Sequence, residues 1–386
     1  MRRGRPIPEE VLAAIRAPFG AEGAVRLEAA VVQPLGLYLD LAGESLRERL
    51  VAVALRDGEE GCLRPDFTVA AVLAWIAEGA APARYFYEGA TFHSAPEAGS
   101  DTSPGAEEFQ QTGLEVFERA EQSPAEAAKA DAAMAALAWR AASAGGRDDL
   151  SLVMGDVSLF RRLMEALAIA SPTAARLSRA FADQARLGAE LARLAEEATP
   201  QDRAGERLGR LLSSLPPQQA AEVLEDIWVL AGIEPVGGRS AAEIAERLAA
   251  KSTDPPGALL ERIQVGSINQ YLAIAGKPRE AFLRLGALDP AGPLLADALE
   301  GWRERLAEME RCGIDPDRVR FEAGFARPFG YYDGVLFEVR SEALGPAAPL
   351  AAGGRYDSLP SRLGGPSARA LGCMVRPDRA WRDGKA

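Results

Sequence analysis

At 386 residues the chain is long enough for one large domain with an insertion, or for two domains, and an apolar fraction of 48% excludes wholesale disorder. Its 56 acidic side chains outnumber the 44 basic ones, and the net charge of −12 argues against a nucleic-acid binder, since phosphate backbones call for a basic surface. Three cysteines without a CxxC pair and a single histidine exclude the usual zinc spacings and point to a reducing compartment.

The N-terminal Met1-Arg-Arg-Gly-Arg is basic, but Pro6, Pro8, Glu9 and Glu10 follow where a signal peptide would place its apolar region. No stretch is apolar for long enough to span a bilayer, so the expected location is the cytoplasm. Helical spacing of apolar residues predicts a helix over 9–34, closed by Pro34. Leu37 to Leu41 reads as a short strand, and Leu46 to Leu55 as helical or extended. Arg64-Pro-Asp-Phe-Thr68 breaks the pattern before Val69 to Trp75 resumes a helical one. Arg84 to Tyr87 and Gly113 to Phe117 have the aromatic, β-branched character of strands.

Ser123-Pro-Ala-Glu126 is a capping box with proline at the first helical position. It predicts an alanine-rich helix to about Ser143, ended by Gly145-Gly146. Leu150 to Met154 reads as a strand and Val157 to Ala168 as a helix. From Ser171 to about Gly276 the composition turns to Ala, Leu, Arg and Glu, a helical segment jointed at prolines 215, 216, 255 and 256. Its leucine and alanine stripes over 176–210 read as core or subunit contacts. A helix from Pro290 to Arg311 follows. Strands then return over Val319 to Phe325, at Tyr331-Tyr332 and over Val335 to Val339, with Asp333-Gly334 as a hairpin signal. Strands early and late with helices between describe an α+β core, 1–170 and 277–386, interrupted by a helical insertion, 171–276.

Five segments carry chemistry. Asp66 and Thr68 in Arg64-Pro-Asp-Phe-Thr68 place a carboxylate and a hydroxyl two residues apart, suited to an ammonium group. Phe109-Gln-Gln-Thr-Gly-Leu-Glu-Val-Phe117 alternates, so Gln111, Gly113 and Glu115 share one strand face. Each has a plainer reading when taken alone: Asp66 as a helix N-cap, the strand face as solvated. Arg327 is suited to grip a carboxylate, and Tyr331 and Tyr332 offer walls and hydroxyls for a small ring. Gly353-Gly354 allows close backbone approach to a ligand and sets up Arg355 and Tyr356. The fifth segment is Ala370-Leu-Gly-Cys-Met-Val-Arg-Pro-Asp-Arg379.

In this order, the five segments resemble the catalytic core of histidyl-tRNA synthetase, whose marks are Arg-x-x-x-Tyr-Tyr and Ala-Gly-Gly-Arg-Tyr-Asp. The resemblance implies a class II synthetase fold, an antiparallel sheet flanked by helices. It covers the chain apart from the helical middle. Three departures accompany it. His93 stands where the motif 2 arginine would grip ATP, within Thr91-Phe-His-Ser-Ala-Pro96, and imidazole cannot reproduce that guanidinium fork. Motif 1, around Gln33-Pro-Leu-Gly-Leu-Tyr-Leu-Asp40, is degenerate, and only the motif 3 arginine, Arg379, survives. The anticodon-binding domain expected after motif 3 is absent, so the expected protein does not charge tRNA.

These losses resemble the regulatory subunit of ATP phosphoribosyltransferase, a synthetase paralog, to which the Leu39-Asp-Leu-Ala-Gly-Glu44 stretch is also similar. That resemblance implies a non-catalytic chain without cofactor or metal, a homodimer within a larger hetero-oligomer. Its partner is the short-form catalytic subunit, and its effector is histidine. A carried-over pocket would hold the histidine α-amino group with Asp66, Thr68 and Gln111, although synthetases carry glutamate at the first position. Glu115 and Tyr332 would bracket the imidazole nitrogens, and Arg327 would meet the carboxylate. Tyr331, Arg355 and Tyr356 would close the wall, leaving His93 as a packing residue. The alternative is a divergent enzyme that activates an amino acid with ATP.

Overall fold

The computed structural model describes residues 2–3, 6–20, 22–42, 44–56, 58–94, 106–195, 208–209, 211–231, 240–245, 260–289 and 291–382. Residues 95–96 of the motif 2 region, the joints at prolines 255 and 256, and the expected helix start at Pro290 therefore lie outside the described residues. The chain divides into two compact units, Met1–Ala166 with Ser267–Ala386, and Leu167–Gly266.

The first unit is built on strands β1 (Arg2–Arg3), β2 (Val25–Arg26), β3 (Val32–Pro34), β4 (Ala52–Ala54), β5 (Glu60–Leu63), β6 (Ala83–His93) and β7 (Glu107–Arg119). They continue with β8 (Leu150–Asp156), β9 (Ala275–Gly276), β10 (Val319–Glu322), β11 (Val335–Ser341), β12 (Ala351–Arg355) and β13 (Ala368–Val375). The main sheet runs β2-β6-β7-β13-β12-β11-β8-β10-β9, with β1 beside β7. From β6 to β8 every pairing is antiparallel. Parallel pairs occur where β2 joins β6, β10 joins β8 and β1 joins β7, so the sheet as a whole is mixed. A second sheet, β3-β5-β4, is antiparallel.

Helix Pro124–Ser143 starts at the expected capping box: the Ser123 hydroxyl accepts from the Glu126 amide, and the Glu126 carboxylate accepts from the Ser123 amide. Its buried alanines lie close against the sheet, and Asp131 is buried among them. In the second unit, Gln184–Ala195 buries Leu187, Leu191 and Leu194 at helical spacing, and Leu212, Ala220, Leu224 and Ala245 form another apolar cluster.

Several local expectations fail for identifiable reasons. The helix expected over 9–34 stops at Gly20, and β2 and β3 follow; Gly23 has φ +65°, a left-handed conformation that ends helical continuation. Leu37 to Leu41, expected as a strand, is helix Leu35–Ala42, whose Leu35 and Tyr38 bury one face three residues apart. Tyr331-Tyr332 is not a strand, and no hairpin forms at Asp333-Gly334. A type I′ turn needs positive φ, which Gly334 lacks, and Asp333 instead accepts the Asp357 and Ser358 amides. β12 and β13 escaped notice because Gly353, Gly354 and Gly372 suppress a strand signature. Those glycines answer to sheet packing. A Cβ on Gly353 would sit 2.3 Å from the Gly372 carbonyl, and one on Gly354 2.6 Å from the Val335 carbonyl.

Candidate functional site

The site is assembled on the face of β7 that carries Phe109, Gln111, Gly113, Glu115 and Phe117. That face is not solvated: Gln111 and Glu115 are buried. Glu115 is its centre. It accepts hydrogen bonds from Thr68 Oγ1 at 2.7 Å, from Tyr87 Oη at 3.4 Å, and from Tyr356 Oη. Burial pushes its carboxyl up to about 8 and nearby Asp66 adds repulsion, while the Tyr356 and Thr68 hydroxyls oppose the shift.

Room for this carboxylate comes from missing side chains. A Cβ on Gly372, directly across from Glu115 on β13, would lie 1.6 Å from Glu115 Oε2. A Cβ on Gly113 would lie 2.4 Å from the Tyr87 hydroxyl and 2.3 Å from the Cys373 carbonyl. Tyr87 is held by stacking on Phe67, with ring centroids 4.4 Å apart. Reading the sequence missed Tyr87; its signal is the register that sets it opposite Gly113.

The N-cap position of the following helix falls to Phe67, without a side-chain bond, and the Asp66 carboxylate stands near the Thr68 and Val69 amides of its first turn. Its Oδ2 accepts from Tyr331 Oη at 3.0 Å, and its buried Oδ1 has no hydrogen-bond partner. Burial raises its carboxyl to about 6, against the Tyr331 hydrogen bond and the Val69 and Thr68 amides. Gln111 Oε1 is also buried without a partner. Two unsatisfied acceptors of this kind suit a cation with several N–H donors. Arg64 fixes the Arg64-Pro-Asp-Phe-Thr68 loop by donating to the Ala90 carbonyl at 3.0 Å and the Ala29 carbonyl at 2.6 Å.

Arg327 is half-buried and paired with Glu338, a partner not anticipated from sequence; its buried Nε has no partner. The Tyr331 ring lies 4.7 Å from Tyr332 and 5.9 Å from Tyr356, and Tyr332 lies 6.4 Å from Tyr356. Asp66, Thr68, Glu115, Tyr331, Tyr332 and Tyr356 therefore form one cluster, with Gln111 on the same strand face.

Arg355 does not join it. Strand alternation sends neighbouring Arg355 and Tyr356 to opposite faces. Arg355 donates to Asp131 Oδ1 from Nε at 2.9 Å and from Nη2 at 2.6 Å, and so ties β12 to helix Pro124–Ser143. It borders a separate crevice of about 580 Å³, lined also by Arg161, Arg305, Asp333, Asp357 and Arg369. The expected wall position for Arg355 is thus wrong.

His93 is a packing residue. Its Nε2–H donates to the Pro65 carbonyl at 3.1 Å, and its ring packs edge-on against Phe109 with centroids 4.9 Å apart. Burial lowers its pKa to about 4, so the imidazole is neutral. Arg379 donates to the Pro349 carbonyl at 3.2 Å. Among the described residues no group of three His, Cys, Asp or Glu side chains could hold a metal ion, and no helix is long and apolar enough to cross a membrane.

Comparison with known proteins places the chain in a lineage. The histidyl-tRNA synthetase family profile matches residues 9–252 and 229–379. The ATP phosphoribosyltransferase regulatory subunit of Chelativorans sp. (strain BNC1) is 33% identical over 348 residues, 90% of this chain and 89% of its own length. The chain belongs to this family of regulatory subunits. The Brucella ovis member is 32% identical over 357 residues, covering 91% of this chain and 90% of its own. Solved structures agree on the fold. A Bacillus halodurans protein described as ATP phosphoribosyltransferase regulatory subunit/histidyl-tRNA synthetase superposes with TM-score 0.59 at 21% identity, covering 98% of this chain and 80% of that one. The histidyl-tRNA synthetase of Nostoc sp. PCC 7120 gives 0.55 at 15% identity, covering 96% and 69%. The family and the class II synthetase-like fold are those the sequence motifs imply.

Proposed function

We propose that the chain is a non-catalytic regulatory subunit of ATP phosphoribosyltransferase, required by the short-form catalytic subunit for activity, in the first step of histidine biosynthesis. We further propose that the Asp66–Glu115 cluster binds histidine as the feedback effector. The observation that carries this reading is the buried Asp66–Glu115 cluster with unpartnered acceptors on Asp66 and Gln111, together with His93 where the resemblance implies a phosphate-binding arginine. Glu115 and Tyr332 would bracket the imidazole, Asp66, Thr68 and Gln111 the ammonium, and Arg327 the carboxylate, with Tyr331 and Tyr356 as walls. Buried, neutral His93, committed to the Pro65 carbonyl, offers nothing comparable to a guanidinium for a developing phosphate charge.

In this reading 1–170 and 277–386 form the core, 171–276 is a helical insertion available to the catalytic subunit, and the chain works as a homodimer inside a larger hetero-oligomer in the cytoplasm. Inhibition requires histidine to bind one assembly state better than the other, by ~1–3 kcal/mol for typical couplings.

The test is phosphoribosyl-ATP formation by a short-form catalytic subunit, with and without this chain, as histidine is titrated. The expected result is activation by the chain and inhibition by histidine that weakens in Arg327→Ala and Glu115→Ala. Absence of both activation and complex formation, together with histidine-dependent pyrophosphate exchange from ATP, would establish the enzymatic alternative instead.

A further inference from the structure

One buried cation beside the cluster has no part in the roles assigned so far. Arg376 follows β13 and is 2% exposed. Its guanidinium lies over the Phe109 ring at 3.8 Å from the centroid, on the ring that also packs against His93. Two carboxylates hold it: Nη2 donates to Glu107 at 2.7 Å and to Asp378 at 2.8 Å, and Nε donates to Asp378 at 3.3 Å. Nη1 is buried and has no partner.

Arg327 repeats this arrangement. Glu338 fixes it from one side, and its buried Nε is unpartnered. It belongs to the same neighbourhood, since Phe329 and Tyr331 stack on one another and Phe329 lies 5.9 Å from the His93 ring. Both guanidinium charges help to lower the His93 pKa. An unpartnered buried N–H is costly to maintain, and a pair of them on two anchored cations around one histidine calls for an anionic group.

Position along β7 says which end of a ligand this is. Phe109 precedes Gln111 by two residues and Glu115 by six, on the same face. At about 3.3 Å per residue, Arg376 therefore lies beyond Gln111, on the side away from Glu115. A ligand with its ring at Glu115 and its ammonium between Asp66 and Gln111 extends its remaining substituent toward this end.

We propose that Arg376 and Arg327 together clamp the carboxylate of an α-amino acid, so that Arg376 makes the site select ligands with a free carboxylate over their uncharged analogues. This rests on the reading of the cluster as an amino-acid site. It assigns to a residue of the fifth segment, given no role in the sequence reading, the discrimination between histidine and a ligand such as histidinol, which keeps ring and amine and replaces the carboxylate by an alcohol.

The experiment is calorimetric titration of the full chain with L-histidine and, separately, L-histidinol, for the native protein, Arg376→Met and Arg376→Lys. Methionine keeps an apolar layer over Phe109 and removes every donor; lysine keeps the charge and loses the fork. The expected result is native preference for histidine, a loss of about 10- to 100-fold in histidine affinity in Arg376→Met, and a histidinol affinity unchanged within about twofold. Arg376→Lys falls between. Equal losses for both ligands, or no loss for either, would overturn the assignment and leave Arg376 as an ion-pair anchor for Glu107 and Asp378. Failure of the native chain to bind either ligand would overturn the amino-acid reading, and the clamp with it.

Discussion

Glu115→Gln is the substitution that most directly tests the electrostatics of the site. The native carboxyl is pushed up to about 8 by burial, from 4.5 in an exposed chain, so the folded protein holds this proton more tightly than the unfolded one. The sign follows from linkage: the contribution to stability is complete below pH 4.5, and it is lost as pH rises through the window to about 8. At about 1.36 kcal/mol per pH unit the whole window sets a ceiling of ~5 kcal/mol. Relaxation of the pocket and admission of water reduce this, so a loss on the order of 3 kcal/mol between pH 5 and 9 is expected. Asp66, raised from 3.8 to about 6, acts in the same direction and is coupled to Glu115, so the two contributions do not simply add. Glutamine retains an acceptor for Thr68 and Tyr356 but cannot ionise. Urea unfolding followed by tryptophan fluorescence across this range should show the native protein weakening and Glu115→Gln losing only ~1 kcal/mol, so that the variant is the more stable above about pH 8. Equal pH slopes for the two proteins would refute the claim that Glu115 is held protonated by its surroundings.

Three further outcomes follow from the same geometry. If histidine's ammonium settles against Asp66 and its ring against Glu115, both carboxyls are driven toward the charged form, so binding at pH 7 should release protons. Titration calorimetry in buffers of different ionisation enthalpy measures this, and proton uptake would contradict it. Gly372→Ala places a methyl 1.6 Å from Glu115 Oε2 and 2.9 Å from the Leu114 carbonyl. It should cost ~3 kcal/mol or more in urea unfolding and abolish histidine binding. Arg355→Met should cost about 3–5 kcal/mol, by leaving buried Asp131 with Arg305 as its remaining ion-pair partner. It should leave the histidine affinity of the folded fraction unchanged; a tenfold loss of affinity would return Arg355 to the ligand wall.

What the sequence disclosed and what it hid divide along a physical line. Local chemistry was legible: Ser123 to Glu126 announces a cap within four residues, and the alternation of Gln111, Gly113 and Glu115 sets one strand face. Family marks carried the fold, because their order fixes which strands meet even where glycines erase strand propensity in β12 and β13. Burial was not legible. Nothing within Phe109 to Phe117 distinguishes a solvated face from a buried one; that depends on Thr68, 47 residues away from Glu115, and on Tyr356, 241 residues away. The destination of an arginine was also hidden. Arg327 and Arg355 both sit in motifs that mark the family, yet Arg355 is taken by Asp131 from the helix side, 224 residues away in sequence, while Arg327 retains an unpaired N–H. A motif therefore specifies residue types and spacing, and the carboxylates that tertiary packing brings alongside decide which of its cations remain free to meet a ligand. Arg376, in a motif remnant where the sequence directs attention to Arg379, shows that pairing need not be complete: Glu107 and Asp378 hold it, yet its buried Nη1 keeps no hydrogen-bond partner.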